Sequence, residues 1–169
     1  VDYEALCQQK NIIFHFLPSR TVIRVEFDPE KMEILLSNLI SNAFKYTPEG
    51  GKIVLSIDET DEKVTLVVED NGIGIQKEFQ EVIFDRFFQI ENTEIFSTGD
   101  GIGLSFVKHL VELHDGTIRV ESELNKGAKF IVELPKKERV DEPVSSEEEI
   151  IIVPKSVKEN MLVVTESAS

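Results

Sequence analysis

The chain has 169 residues, 41% of them hydrophobic, with 18 basic and 32 acidic residues for a formal net charge of −14. That length suits one domain plus a tail, with enough apolar side chains for a packed core. A field so negative repels nucleic acid and anionic membrane surfaces, so neither is an expected partner. Any phosphate-bearing ligand would need local backbone donors, a cation or a divalent metal to offset that charge. Cys7 is the only cysteine, which excludes a disulfide framework and a cysteine metal cluster. No run approaches the roughly 18 apolar residues of a membrane helix, and no signal peptide leads the chain. The absence of Met at position 1 suggests a piece of something longer, and a reducing, cytosolic compartment is the expectation.

In chain order, the first stretch predicts two short strands, IIFHF (12–16) and VIRVEF (22–27), with LPSR between them. Asp28-Pro29-Glu30 has the form of a helix start: an N-cap aspartate, proline at the first helical position and an early acid. Met32, Leu35, Leu36, Leu39, Ile40, Ala43 and Phe44 then repeat at three and four, the strongest helical pattern in the chain, and TPEGG (47–51) ends it. KIVLSID (52–58) and KVTLVVED (63–70) alternate about a short turn and predict an antiparallel pair.

NGIGIQ breaks the alternation, and a short apolar segment, EVIFDRFFQI (81–90), precedes the polar stretch ENTEIFSTGD. A second helix follows through Phe106, Val107, Leu110, Val111 and Leu113, closed by Gly116 as its C-cap. TIRVES and AKFIVEL form a last hairpin across ELNKG, stopped by Pro135. Beyond it, KKERVDEPVSSEEE (136–149) reads as a charged linker, and IIIVP and MLVV as strand-like scraps. The order of strands, helix, hairpin, helix and hairpin predicts an α+β fold, a two-layer α/β sandwich with helices packed on one face of a mixed sheet.

Three constellations could do chemistry. At 100° per residue, Asn38, Asn42 and Lys45 fall within roughly 60° of each other beside the apolar stripe of the long helix. A solvated flank is the bland alternative, but asparagine is a poor surface helix former and two at i, i+4 on the core border weaken it. In EDNGIGI, Asn-Gly after a strand is a common tight turn. No alternating strand returns, however, and a second glycine two residues on implies close backbone approach or an unusual backbone angle. Asp70 would sit at the mouth of that loop.

The third is STGDGIGLS, where Gly99, Gly101 and Gly103 run into a helix start. Each glycine costs roughly 1 kcal/mol of helix propensity against alanine. A glycine-rich loop entering a helix N-terminus offers unpaired N–H groups and a positive dipole end, which suits a phosphate. The spacing is neither that of a P-loop nor that of the dinucleotide fingerprint. Five of the nine glycines lie in these two loops, so they form concentrated sites rather than scattered turn punctuation.

NLISNAFKYT, DNGIGI, IFDRFFQ and GDGIGLSFVKHLVELHDGTIRVES…GAKFIVELP together resemble the N, first glycine, F and second glycine boxes of sensor histidine kinases. The resemblance covers about residues 10–135, in order and spacing. It implies the Bergerat (GHKL) ATP-binding sandwich shared with DNA gyrase, MutL and the ninety-kilodalton heat-shock chaperones, over residues 1–135, with 136–169 as linker and tail. ATP and Mg²⁺ are the implied cofactors.

Carried over by position, Asn42 would hold Mg²⁺, Asn38 lies one turn before it, and Lys45 would reach the phosphates. Tyr46 would lie against the nucleotide, and Asp70 would accept a hydrogen bond from the adenine amino group. Gly72, Gly74 and Ile75 would let the backbone close in. Gly99, Gly101, Gly103 and Leu104 would wrap the phosphates. Arg86 sits in the F box, where a mobile lid would begin and run to about Asp100. Asn38, Asn42, Lys45 and Arg86 are the implied catalytic set.

The implied activity is transfer of the γ-phosphoryl group of Mg·ATP to a histidine on a separate dimerisation and phosphoacceptor domain. The expected partners are those helices and a downstream receiver or response regulator. The isolated domain is expected to be a monomer and cytoplasmic. Its parent would be a homodimer, compatible with a membrane anchor elsewhere.

Three departures stand out: Asp100 where the family usually has Thr or Ser, Ala128 where Thr usually follows Gly127, and no phosphoacceptor histidine. His15, His109 and His114 lack the family's His-Glu-Leu-Arg-Thr-Pro context, and His114 is expected to serve the negative end of its helix dipole. NMLVVTESAS faintly resembles the first strand of a receiver, with only Glu166 in the region of the usual acidic pair. An autonomous ATPase of this fold carries Glu, a general base, at the position of Asn38, and an amide cannot take that proton. A nucleotide-sensing scaffold without phosphotransfer is the alternative from another class.

Overall fold

The computed structural model describes residues 3–20, 23–88, 102–136, 149–153 and 163–166. It opens with a helix that no sequence pattern predicted, α1 (Tyr3–Lys10), none of whose residues is fully buried. Tertiary contacts hold it instead: Tyr3 stacks on Phe44 at 5.7 Å, and Lys10 Nζ donates to the Phe44 carbonyl at 2.6 Å.

The two strands that follow, β1 (Ile13–Pro18) and β2 (Ile23–Glu26), lie in different sheets. Asp28 caps α2 (Pro29–Tyr46) as its sequence predicts, its carboxylate accepting from the N–H groups of Glu30 at 3.0 Å and Lys31 at 3.2 Å. The seven apolar residues of the α2 stripe are all buried.

β3 (Lys52–Glu59) and β4 (Lys63–Asp70) form the expected antiparallel pair, with Ile53 opposite Asp70. The last hairpin, β5 (Thr117–Glu123) and β6 (Gly127–Pro135), adds to β4 through β6, and β1 runs parallel to β3. The sheet order is therefore β1-β3-β4-β6-β5, a mixed sheet. Ile53, Leu55 and Ile57, Val64, Leu66 and Val68, and Phe130, Val132 and Leu134 bury one face of it in a core shared with α2 and α3 (Gly103–Leu113). This is the α+β sandwich the sequence predicts.

A second sheet was not foreseen. β7 (Glu149–Val153) and β8 (Val163–Glu166), the two strand-like scraps, join β2 in the antiparallel order β2-β7-β8. Ile23, Val25 and Phe27, which alternate along and beyond β2, are buried.

The end of α3 corrects the expected cap. His114 is the C-cap, and Asp115, not Gly116, takes the left-handed conformation at φ 57°. Asp115 N–H donates to Glu112 O and Gly116 N–H to Val111 O, the paired bonds of a Schellman turn. Gly116 is there for space: a Cβ would stand 2.7 Å from the Glu133 carbonyl of β6.

Candidate functional site

The end of α2, the loop after β4 and the start of β6 converge on Asp70. Alternation along β4 puts Asp70 on the core face, and it is 8% exposed. Its carboxylate accepts the Gly72 N–H at 2.8 Å, and the backbone N–H of Ala128, its cross-strand partner on β6, also favours its charged form. Burial pushes its carboxyl above the usual range; the Gly72 and Ala128 N–H groups pull it down, and Glu69 adds a small upward push. An acceptor-only group is thus held at the end of the sheet by neutral backbone donors.

The backbone is packed too closely here for side chains. A Cβ at Gly72 would stand 2.3 Å from the Tyr46 carbonyl, and one at Gly74 would stand 2.1 Å from that of Glu123. Ile73 N–H donates to Tyr46 O at 3.2 Å, tying the loop to the end of α2. Gly127 lies over Asp70: its φ is 100°, and a Cβ would stand 1.9 Å from the Asp70 carbonyl.

Asn38, Asn42, Lys45 and Tyr46 are half-buried along α2. The Asn38 Nδ2 donates to Ile34 O at 2.8 Å, and its Oδ1 faces Gly103, where a Cβ would stand only 2.7 Å away. Lys45 Nζ lies 5.2 Å from the centre of the Tyr46 ring. Eight residues of helix, about 12 Å, separate Asn38 beside α3 from Tyr46 beside the Asp70 loop. The predicted residues of α2 therefore run along the helix from Gly103 at one end to the Asp70 loop at the other.

Other predicted residues are placed differently. Leu104 packs against the core, Ile75 is half-buried, and Arg86 is exposed just past two 3-10 turns, Lys77–Phe79 and Val82–Phe84. The second of those turns opens the apolar F-box segment, anchored by buried Ile83 and by Phe84 edge-on to Phe130 at 6.3 Å. Gly99, Asp100, Gly101 and the expected lid lie outside the described residues.

His15 and His109 are exposed. His114 stands at the C-terminal end of α3 with both ring nitrogens against backbone. Its Nδ1 lies 2.8 Å from Leu110 O, its Nε2 accepts the Asp28 N–H at 3.4 Å, and its ring stacks on Phe27 at 3.6 Å. A proton on Nδ1 alone satisfies both bonds, so the ring bridges the end of α3 to the start of α2.

Two residues that local pattern did not single out brace the Asp70 loop. Ser122 Oγ accepts the Ile75 N–H at 2.8 Å, and Gln80 Nε2 donates to Ile75 O at 2.9 Å. Ser122 stands out only as the polar end of an inward-facing series with Ile118 and Val120.

Residues 27–138 match the family model described as histidine kinase-, DNA gyrase B-, and HSP90-like ATPase. Histidine kinase P4 of Formosa agariphila is 42% identical over 129 residues, 74% of this chain and 9% of that relative. The chain thus spans under a tenth of the length of that curated relative. The catalytic domain of histidine kinase ThkA superposes with a TM-score of 0.71 at 34% identity, over 79% of this chain and 86% of that one. ThkA in complex with the response regulator TrrA superposes with a TM-score of 0.67 at 32% identity, over 80% of this chain and 37% of that one. With its sandwich fold and its matched stretch, the chain belongs to the histidine kinase-, DNA gyrase B- and HSP90-like ATPase family, in the form of a histidine kinase catalytic domain.

Proposed function

We propose that this domain binds Mg·ATP and donates its γ-phosphoryl group to a histidine carried by a separate dimerisation and phosphoacceptor domain. The observation that carries the reading is Asp70, a buried carboxylate held by the Gly72 N–H at the end of the sheet. Adenine presents an amino donor to such an acceptor, whereas guanine would set a carbonyl oxygen against it.

The remaining donors suit a triphosphate. Asn42 offers an amide oxygen, Lys45 an ammonium group, and the first turn of α3 has N–H groups that its N-cap, Ile102, does not satisfy with a side-chain bond. No group of three His, Cys, Asp or Glu residues among those described could hold a metal ion. Asn42 Oδ1 with phosphate oxygens and waters makes a sufficient shell for Mg²⁺. Bound Mg·ATP would supply the transferable phosphoryl group and the cation that offsets its charge.

In this reading Asp70 selects the base, Tyr46 lies along it, and Asn42 and Lys45 fix the phosphates. Gly103, with Gly99 and Gly101, would admit the phosphates to the start of α3, and Arg86 would act from the F box. Asn38 holds no base for water, so the domain positions a phosphoryl group and leaves the nucleophile to its partner. The response regulator bound to ThkA supports a receiver as the downstream partner. The same reading ends the ATP-binding core near residue 135; beyond it β7 pairs back onto β2 and β8 onto β7, and a receiver would follow them.

The test is to supply γ-labelled ATP to this chain together with the phosphoacceptor helices of its parent. Acid-labile phosphohistidine on those helices is expected, with hydrolysis by the isolated chain below roughly 1 per second. Nucleotide binding without transfer would make the domain a nucleotide-sensing scaffold instead.

A further inference from the structure

Asp70 on β4, Ala128 on β6 and Ser122 on β5 are cross-strand partners in one row across the end of the sheet. The alternation of all three strands puts the row on the core face. Asp70 and Ser122 are two strand spacings apart, about 10 Å, so Ser122 cannot touch a base held by Asp70. It touches what holds Asp70.

The carboxylate of Asp70 lies between two brackets: the Gly72 N–H of the glycine loop, which it accepts at 2.8 Å, and the backbone of its cross-strand partner Ala128 on β6, whose N–H favours its charged form. Ser122 joins the two brackets. Its hydroxyl accepts the Ile75 N–H at 2.8 Å and donates to Gly127 O at 2.7 Å. One oxygen thus links the loop three residues past Gly72 to the residue before Ala128.

Gln80 closes the arrangement from outside. Its single Nε2 donates to Ile75 O at 2.9 Å and to Ser122 O at 2.8 Å, which uses both amide hydrogens. All four bonds are of normal length and each side chain is half-buried. Gly127 itself cannot hold the loop with a side chain, and Gly74 has none to offer, so the hydroxyl and the amide do that work.

We infer that Ser122, fastened by Gln80, is a positioning residue for base selection: it fixes the separation of the two backbone donors that aim the Asp70 carboxylate. The inference rests on the adenine role proposed for Asp70. Discrimination against a mismatched base depends on how firmly an unpairable acceptor is held in place. A carboxylate whose brackets drift apart can turn away from guanine's carbonyl oxygen, and the penalty on GTP falls.

The experiment is competition of a fluorescent ATP analogue by ATP and by GTP, well below the thermal midpoint. It uses the full chain, Ser122→Ala and Ser122→Thr. Ser122 lines an open groove with Ile75 and Gln80, and Ser122→Thr keeps the hydroxyl that makes both bonds. The expected result is an ATP-over-GTP preference about tenfold narrower in Ser122→Ala and restored in Ser122→Thr. A role in stability alone would lower the melting temperature of Ser122→Ala and leave the ratio unchanged, and that result overturns the inference.

If Ser122→Ala does not fold, Gln80→Leu carries the test. It removes two bonds of the same set from a residue outside the sheet, and a several-fold narrowing is expected; an unchanged ratio again overturns it. Equal competition by ATP and GTP in the wild type counts first against the adenine role of Asp70, and the positioning role falls with it.

Discussion

Gly103 and Asn38 are in contact across the two core helices: a Cβ at 103 would stand 2.7 Å from the Asn38 carboxamide oxygen. That carboxamide is already committed through Nδ2 to Ile34 O. Gly103→Ala therefore breaks the Asn38 bond or moves the start of α3 off α2. Alanine restores roughly 1 kcal/mol of helix propensity, so the melting temperature is expected to change little. Mg·ATP affinity is expected to fall tenfold or more in calorimetric titration. A variant that binds as tightly as the wild type would separate Gly103 from the phosphates.

Asp70 should make the free domain less stable at neutral pH than an amide would. Its carboxyl is raised in the folded state, chiefly by burial. A raised group contributes stability that is fully present below its unfolded pKa and is lost as pH rises through the folded value. Asp70→Asn removes that loss, and its Oδ1 still accepts the Gly72 N–H. The nucleotide-free variant is expected to melt above the wild type at pH 7, with the gap closing as pH falls to the acid range. ATP should bind it less tightly and the ATP–GTP gap should narrow. Melts across pH with parallel competition titrations check both, and a variant less stable at pH 7 contradicts the sign.

Asn42→Ala should remove most of the Mg²⁺-dependent part of ATP affinity and leave the fold intact, because the side chain is only half-buried on α2. Asn42→Asp keeps an oxygen but adds charge near the triphosphate, so its effect is expected to be milder. Calorimetry with and without a Mg²⁺ chelator reads this directly. The assignment fails if the Ala variant matches the wild type in both conditions.

Gly127→Ala is expected to be far more damaging than its size suggests. The residue combines φ 100° with a Cβ position 1.9 Å from the Asp70 carbonyl and 2.7 Å from the Asn71 Cα. Backbone strain and a backbone clash together should remove on the order of 3 kcal/mol or more. A urea midpoint close to the wild type would show that β6 can shift without loss.

Where one periodic pattern fixes an element, the sequence was enough. β4 begins at Lys63 and ends at Asp70 as its alternation predicts, and Asp28-Pro29 marks the start of α2. α1 was not legible, because YEALCQQK buries no residue fully and holds on through Tyr3 and Lys10 to atoms of Phe44, 34 or more residues away. The partners of β1 and β2 were equally hidden, since strand alternation names a face and never a neighbour. In the site, Asp70 and the glycines announced themselves by local composition. Ser122 and Gln80 did not, because their bonds to backbone 42 and 47 residues away leave no local spacing to read.

The bracket around Asp70 also sets when the site can exist. One donor, Gly72, is made two residues after Asp70, but the other, Ala128, is made nearly sixty residues later on the strand that pairs with β4. On the ribosome, a nascent chain that has emerged only as far as α3 carries the residues of both core helices and the glycine loop, but not the strand that faces Asp70. The Asp70 end of the sheet is completed by β6, so the nucleotide binding proposed for it would arrive late in synthesis. Until then the growing chain lacks the strand that pairs with β4 beside Asp70.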